Sequence, residues 1–403
     1  LRKTVVSQLA GSESLKDAPA FNRSEADERA LVENPTPVDL ASFTDVRRMP
    51  IRPKPFRGPG FDEAFDATTL YFDAFWHLDG RRIFLLGPAL FNLAADVQRA
   101  KITALPSGQA CRFRTRSFDR HERTVVEAPP RTTQLRLNAG FGTVMIEVGQ
   151  NRSELFAGRR VLLTLSKDNP IDWVLDWVRY HRDLHGADAI LFYDNASASY
   201  SAHTLQESLS RIAGIAVACV VQWPFKYGPQ AQGPQRWDSD FCQNGALEHA
   251  RWRYLAQARS VMNGDVDELV VAPDRNSAFE AAERSASGLV RYQGAWVTGI
   301  RDERPDPDAV EPERLVRHKD FATRERPRWQ RRHLIRTINE RACPHKWTVV
   351  PRRCPERAQW RAHRIANWPT SWLTTSGFEF RHFRPISTNW KYSRLDHEGF
   401  SPE

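Results

Sequence analysis

From Arg160 onward, short apolar runs alternate with segments of helical period, and that alternation leaves few folds open to the chain. Arg160–Ser166 carries Val161, Leu162, Leu163 and Leu165 and reads as a strand buried on both faces. Asp168-Asn169-Pro170 reads as a helix start, a polar cap with proline in the first turn. Ile171, Val174, Leu175 and Val178 then recur at helical spacing, and Gly186 stops the helix. Ala189–Tyr193 predicts a second strand, Ser201–Ile212 a helix, Ile215–Val221 a third strand, Phe241–Ala258 a long helix and Ser260–Met262 a fourth strand. Such alternation implies an α/β fold, a mostly parallel sheet covered by helices. Ligands of open α/β sheets sit at the carboxyl ends of the strands. Lys167/Asp168, Asp194/Asn195 and Asp265/Asp267 all fall at such ends.

The fourth strand runs into Gly264-Asp265-Val266-Asp267-Glu268, followed by apolar Leu269-Val270-Val271. Three carboxylates between two apolar segments are costly to bury unless something neutralises them. On an extended segment Asp265 and Asp267 would point the same way and could share one cation, and Glu268 would face away. Oxygen ligands of this kind suit Mg²⁺ or Mn²⁺, which commonly bridge to substrate phosphate. A charged turn between strands would show the same residues. No Gly-x-Gly-x-x-Gly follows the first strand, and no Gly-x-x-x-x-Gly-Lys-Ser/Thr occurs, which disfavours dinucleotide-binding and P-loop readings. A sheet that binds a nucleotide through a metal on Asp-x-Asp describes a nucleotide-sugar glycosyltransferase.

The remainder of the 403 residues divides by composition. Residues 1–60 are polar, then rich in Pro and Arg, and read as an arm with little core of its own. Residues 65–158 carry short alternating runs, and Asp79-Gly80 marks a hairpin between Leu70–Trp76 and Arg82–Leu86. They predict a small β-rich, sandwich-like domain. Residues 159–300 are expected to form a nucleotide-sugar-binding half and 301–403 an acceptor, C-terminal half. The net charge of +9 comes chiefly from Arg, which suits bidentate recognition of phosphate. Five scattered cysteines argue against a disulfide framework and for a reducing compartment. Cys343, His345, Cys354 and His363 lie close together, but their spacing matches no standard zinc module. No apolar stretch approaches the length of a membrane span, so the expected setting is cytoplasmic, with peripheral association with the inner membrane left open. No zinc-finger, RRM or basic-helix pattern supports nucleic-acid binding.

Ser166-Lys167-Asp168-Asn169-Pro170, Asp176-Trp177-Val178-Arg179-Tyr180-His181, Tyr193-Asp194-Asn195-Ala196-Ser197, Gln243 and Asp265-Val266-Asp267-Glu268-Leu269 together resemble glycosyltransferase family 92, the DUF23 group. The resemblance covers about residues 160–300. It extends to Lys346–Pro351, His363, His382-Phe383-Arg384-Pro385-Ile386-Ser387, Lys391 and Arg394. Leu269 replaces a commoner Phe, and Ala196 a commoner Gly. The resemblance implies a GT-A-type fold related to family 2 and an inverting, metal-dependent transfer. The sugar would pass from a nucleoside-diphosphate sugar, a UDP-sugar first, to a glycan or glycoconjugate acceptor in polysaccharide biosynthesis. Asp265 and Asp267 would hold Mn²⁺ or Mg²⁺, with His363 as third ligand, His382 second in preference and His345 third. Lys167, Asp194, Asn195 and Gln243 would contact the nucleotide, and Lys346, Arg384, Lys391 and Arg394 would clamp its diphosphate. Candidates for the base that deprotonates the acceptor are Asp238, Asp240 and Glu268, although Asp238 and Asp240 could serve only as helix caps. Trp223, Trp237, Trp296, Trp368 and Trp372 are candidates for stacking on sugar rings. A catalytically inactive carbohydrate-binding or scaffold protein is the competing reading, and a basic nucleic-acid-binding protein a further one.

Overall fold

The structure is a computed structural model that describes residues 30–229, 239–272, 276–297, 317–320, 329–332, 335–338, 343–370, 373, 375, 377–384 and 386. Asp238, Trp237, Trp372, Lys391 and Arg394 lie outside the described residues. In chain order the strands used below are β1 (Ala30–Glu33), β2 (Asp73–Trp76), β3 (Arg82–Pro88), β4 (Lys101–Leu105), β5 (Ala110–Ser117), β6 (His121–Glu127), β7 (Gln134–Ala139) and β8 (Gly142–Glu147). They continue with β9 (Arg160–Ser166), β10 (Ala189–Asp194), β11 (Val217–Gln222), β12 (Ser260–Asn263), β13 (Glu268–Val271), β14 (Leu289–Val297), β15 (His345–Val349) and β16 (Glu379–Phe383). The helices are α1 (Ile171–His185), α2 (Ala202–Ser210), α3 (Phe241–His249) and α4 (Ala278–Arg284).

The fold is mixed α/β. Nine strands form one sheet in the order β1-β11-β10-β9-β12-β15-β14-β16-β13. From β1 to β12 every neighbouring pair is parallel. Beyond β12 the sheet becomes mixed: β15 runs antiparallel to both β12 and β14, β16 parallel to β14, and β13 antiparallel to β16. The mostly parallel expectation therefore holds for one side of the sheet only. Strands from residues 345–383 join the same sheet as those from 160–297, so the two expected halves share one hydrogen-bonded layer. So does β1, a strand inside the supposed polar arm, which pairs Leu31 with Cys219 at the sheet edge. Four residues of strand in a polar segment leave almost no period to read.

The helix ends obey local chemistry at α2 and at the close of α1, but not at the starts of α1 and α3. Ser201 caps α2 by accepting from Thr204 N, and Gly186 closes α1 at φ +73°. Asp168 does not cap α1. Its φ is +53°, and its carboxylate accepts from Ala198 N and Ser199 N across the strand ends. The long helix predicted to Ala258 is α-helical only to His249 and then widens into a π-turn, Ala250–Tyr254. The apolar face of α1 buries Trp173, Val174, Trp177 and Val178 beneath the sheet. Each such side chain contributes roughly 1.5–3 kcal/mol.

Residues 73–147 supply a second sheet, antiparallel throughout, ordered β8-β7-β4-β5-β6-β3-β2. It is not a two-layer sandwich. The sheet curls until its edges meet, where Trp76 N donates to Gly149 O (3.0 Å) and Gly149 N to Ala74 O (2.8 Å). Near-closure removes the exposed edges that an open sheet presents to other chains. Leu70, Ile83, Leu85, Ile102, Leu135, Leu137 and Ile146 are among the side chains of its core. This unit packs on the large sheet through Phe72, whose ring lies 4.6 Å from that of Phe225 and 5.2 Å from that of Trp223. Gly245 in α3 makes room for it, since a Cβ there would meet Phe72 Cε2 at 2.4 Å. No helix among the described residues is long and apolar enough to cross a membrane.

Candidate metal and donor site

β12 ends at Asn263, and the chain turns before β13 begins at Glu268. Glu268 N donates to Asp265 O (3.0 Å), which makes the crossing a tight turn rather than an extended segment. The expected period of two therefore fails here, and Glu268 does not face away from Asp267. Its Oε2 accepts from Asp265 N (2.8 Å) and from Lys346 Nζ (2.8 Å). Lys346 Nζ also lies 3.0 Å from Asp265 Oδ2. Asp267 turns the other way, and its Oδ2 lies 3.0 Å from His382 Nε2. Asp265 and Asp267 thus point to different partners, and Glu268 stands between them.

Strand register explains the convergence. Glu268 is paired with His382 across β13 and β16, so both side chains leave the same face. Trp296 is paired with His382 across β14 and β16. Its ring lies 4.5 Å from the imidazole, and the Arg384 guanidinium sits 4.6 Å over the same ring. Trp347 pairs with Asn263, which brings its neighbour Lys346 beside the turn. Two buried histidines of α1 anchor the turn from below. Val270 N donates to His181 Nε2 (3.2 Å), and His185 Nε2 donates to Val270 O while His185 Nδ1 accepts from Ala278 N. Burial, and then the neighbouring His185, holds His181 down at about 3, so it remains neutral as this pairing requires. Trp177 Nε1 donates to Glu268 O (2.9 Å).

The electrostatics turn on one buried pair, Lys346 and Glu268. The Lys346 and Glu268 side chains are each 1% exposed. Burial would lower Lys346, but Asp265 and Glu268 outweigh it and push its pKa up. Burial raises the Glu268 carboxyl, Lys346 opposes this, and Asp265 and Asp267 push it further up. Lys346 thus meets two carboxylates, Asp265 and Glu268, and Asp267 meets His382 instead. Glu268 Oε1 is buried and has no hydrogen-bond partner, with His382 Nδ1 3.5 Å away. Asp267, Glu268 and His382 each offer a ligand atom, all within 4.8 Å of one another. An orphaned carboxylate oxygen, a second carboxylate and an imidazole form an O,O,N donor set that fits a divalent cation.

The remaining predicted residues are distributed around this centre. His363 is exposed, in the turn of the hairpin Gln359–Arg361/Arg364–Ala366, and is not among the three clustered ligands. Asn263 Nδ2 nevertheless donates to its neighbour Ala362 O (2.9 Å), so the hairpin abuts the end of β12. His345 is half-buried on β15, lowered to about 4 by burial and then by Arg291. Cys343 and Cys354 are buried free thiols, and Cys343 Sγ lies 3.9 Å from His382 Nδ1. Asp194 accepts from Ser197 N and Oγ, and burial raises its carboxyl. Asn195 Nδ2 donates to Trp223 O (2.7 Å) and Phe225 O (2.8 Å), fixing the loop after β11. Lys167 is half-buried beside Asp168 and Asp194. Gln243 Oε1 accepts from Tyr227 Oη (3.0 Å). Trp223 is fully buried in the core and cannot stack on a sugar, while Trp368 is only partly buried against the same core.

Asp240 precedes α3 at φ +60° and makes no side-chain cap bond. Its Oδ2 is instead 2.5 Å from Arg120 Nη1, in the turn between β5 and β6. Tyr227 faces both Asp240 and Asp265, and burial and then these carboxylates raise its hydroxyl well above the usual range. Arg120 is a residue that sequence reasoning missed. No local signal marks it, because only the packing of the two units brings it to Asp240. The chain matches no family model and no curated protein.

Proposed function

We propose that the protein is a metal-dependent glycosyltransferase that moves a sugar from a nucleoside-diphosphate sugar, a UDP-sugar first, to a glycan or glycoconjugate acceptor with inversion. The observation that carries this reading is the buried Glu268 oxygen without a hydrogen-bond partner at the carboxyl ends of the parallel strands, where Asp267, Glu268 and His382 converge. On this reading the large sheet is of the GT-A type, with β9 to β12 as its nucleotide-binding side. Asp267, Glu268 and His382 would hold Mn²⁺ or Mg²⁺. When bound, the cation would supply Lewis-acid stabilisation to the departing diphosphate.

The chain's own residues account for the rest. Lys346 pairs with Asp265 and Glu268 and holds both carboxylates at the turn. Arg384, stacked on Trp296 beside His382, is placed to accept diphosphate charge. Asp168, Asp194 and Asn195 shape the rim where base and ribose would lie. Asp240 is the candidate base, since it stands apart from the cation ligands and within electrostatic range of the Tyr227 hydroxyl that also faces Asp265. Glu268, enclosed and bonded to Lys346, is better suited to holding charge than to accepting an acceptor proton.

The test is a thermal-shift series of UDP- and GDP-sugars with and without Mn²⁺, followed by assay of nucleotide release. A ligand that binds only the native state raises the melting temperature according to its affinity. Stabilisation by a nucleotide sugar that requires Mn²⁺ is expected. No nucleotide sugar stabilising the protein under any metal condition would refute the reading.

A further inference from the structure

The curled sheet presents a row of arginines that the transfer chemistry does not use. Arg112, Arg114 and Arg116 alternate along β5 and are all exposed. Residues two apart on a strand share a face, so the three stand in line over about 13 Å at ~3.3 Å per residue. None has an ion-pair partner within 4.0 Å among the described residues. Opposite them on β6 stand Glu127, Val125 and Arg123. Val125 belongs to the small apolar cluster with Trp252, and Arg123 lies 4.9 Å over the Trp252 ring. The large unit therefore covers this face as far as β6 and leaves β5 uncovered along the margin of the contact.

The row does not stop at the end of β5. The next turn holds Arg120 against Asp240. Arg361 Nη2 meets Asp119 of the same turn at 2.6 Å, and Arg361 O accepts from Trp347 Nε1 (2.7 Å) beside Lys346. Arg364 follows, exposed, in the same hairpin. Burial lowers the Arg361 guanidinium, Asp119 opposes this, and Arg120 and Arg364 depress it further. The arginines thus crowd one another, and among the described residues Asp119, Asp240 and Glu127 offset them.

We propose that the row Arg112–Arg114–Arg116, continued by Arg120, Arg361 and Arg364, is a binding track for an anionic glycan that bears carboxylate or phosphodiester groups and is the acceptor. Its role as acceptor rests on the transferase reading; the binding itself does not. Arginine pairs both anions bidentately. A single-file row ending at the candidate base suits a chain led into a reaction site. It suits other polyanions poorly. None of the exposed large apolar side chains, Val46, Met49, Ile51, Phe56, Leu78, Met145 and Leu373, belongs to the row, so it lacks an anchor for a bilayer, and the ring beside it, Phe118, is half-buried and already stacked on His121 with Arg116 over it.

The experiment measures binding of the full chain to a galacturonic acid decamer, a glycerol-phosphate polymer, neutral dextran, phosphatidylglycerol vesicles and a single-stranded oligonucleotide, at low and moderate salt. One or both of the first two should bind in a salt-sensitive way, and whichever binds identifies the anion. The R112S/R114S/R116S variant should lose at least tenfold in that affinity, and Arg364→Ser severalfold, with melting temperatures kept because all four positions are exposed. Unchanged affinity in both variants, equal binding of dextran, or preference for the vesicles or the oligonucleotide overturns the proposal. Mn²⁺-dependent release of UDP from UDP-sugars by the unmodified protein, without any glycan, tests the transferase reading separately.

Discussion

Two buried charge clusters, one where the two units meet and one at the turn after β12, differ in how their carboxylate oxygens are satisfied. Where the curled sheet meets the large unit, Asp73 Oδ1 accepts from Thr36 N and Oγ1, and its Oδ2 from His249 Nε2 and Arg253 Nη1. Both oxygens are satisfied, and one carboxylate meets one guanidinium. At the turn after β12, Lys346 meets Asp265 and Glu268, Asp267 meets His382, and Glu268 Oε1 has no hydrogen bond. A carboxylate with both oxygens bonded joins two units of the fold. A buried carboxylate oxygen left without a bond is tolerated where a ligand completes it.

Exchanging the removed residue is the strongest way to break this contrast. Asp73→Ala leaves the Arg253 charge buried without its partner and should cost about 3–5 kcal/mol in chemical denaturation. Asp267→Asn should reduce Mn²⁺-dependent transfer by at least about 100-fold while leaving the apo melting temperature unchanged or raised, because carboxylate repulsion falls. If Asp267→Asn unfolds the protein as Asp73→Ala does, the two clusters are both structural.

Acid separates them with opposite sign. Burial would raise Asp73, but Arg253 and His249 hold it at about 2. Burial would likewise raise Glu248, but His121 and Arg123 hold it at about 2. These depressed groups contribute stability that is present above the unfolded carboxyl range and lost as pH falls from about 4.5 towards 2. Glu268, raised by burial, works the other way: its contribution is present at low pH and lost as pH rises through its folded value. Denaturation midpoints between pH 7 and 2.5 should fall steeply in the unmodified protein. The fall should be smaller by about 2 kcal/mol in Asp73→Asn and steeper in Glu268→Gln.

Lys346→Met sharpens the contrast on a smaller scale. Removing the ammonium should lower the apo melting temperature and enlarge the rise produced by Mn²⁺, because a cation then relieves more repulsion. An unaltered Mn²⁺ response would show that Lys346 does not neutralise the cluster. The smallest effect is expected at His363. His382→Ala should weaken Mn²⁺ binding at least tenfold, whereas His363→Ala should leave it within about twofold, since loss of a supporting residue typically costs 10–100-fold. Calorimetric titration of both variants decides between them.

The sequence made β9, α1, β10, α2, β11 and β12 legible because each is local and coded by period and caps. The tight turn at Asp265 was not, since one hydrogen bond from Glu268 N breaks the period of two and rotates Glu268 back towards Asp267. Lys346 and His382 were visible only as parts of a resembling motif. What brings them to the turn is strand register across 81 and 115 residues of chain, to which neither period nor composition gives access. Arg120 had no signal at all, its partner lying 120 residues away in the other unit. The curled sheet read as a sandwich because a short alternating strand looks the same whether its sheet stacks on another or closes on itself.

The contact through Phe72, Asp73 and Gly245 sets a limit on modularity. A chain cut at Arg159 would lose the carboxylate that answers His249 and Arg253, uncover the Trp223 and Phe225 rings, and leave Tyr193, whose hydroxyl bonds His249 (2.8 Å), next to Asp194 at the rim. The β-rich unit is therefore no removable appendage. It and the large sheet must be inherited, expressed and exchanged together, and any transplant of the reaction centre to another protein has to carry both.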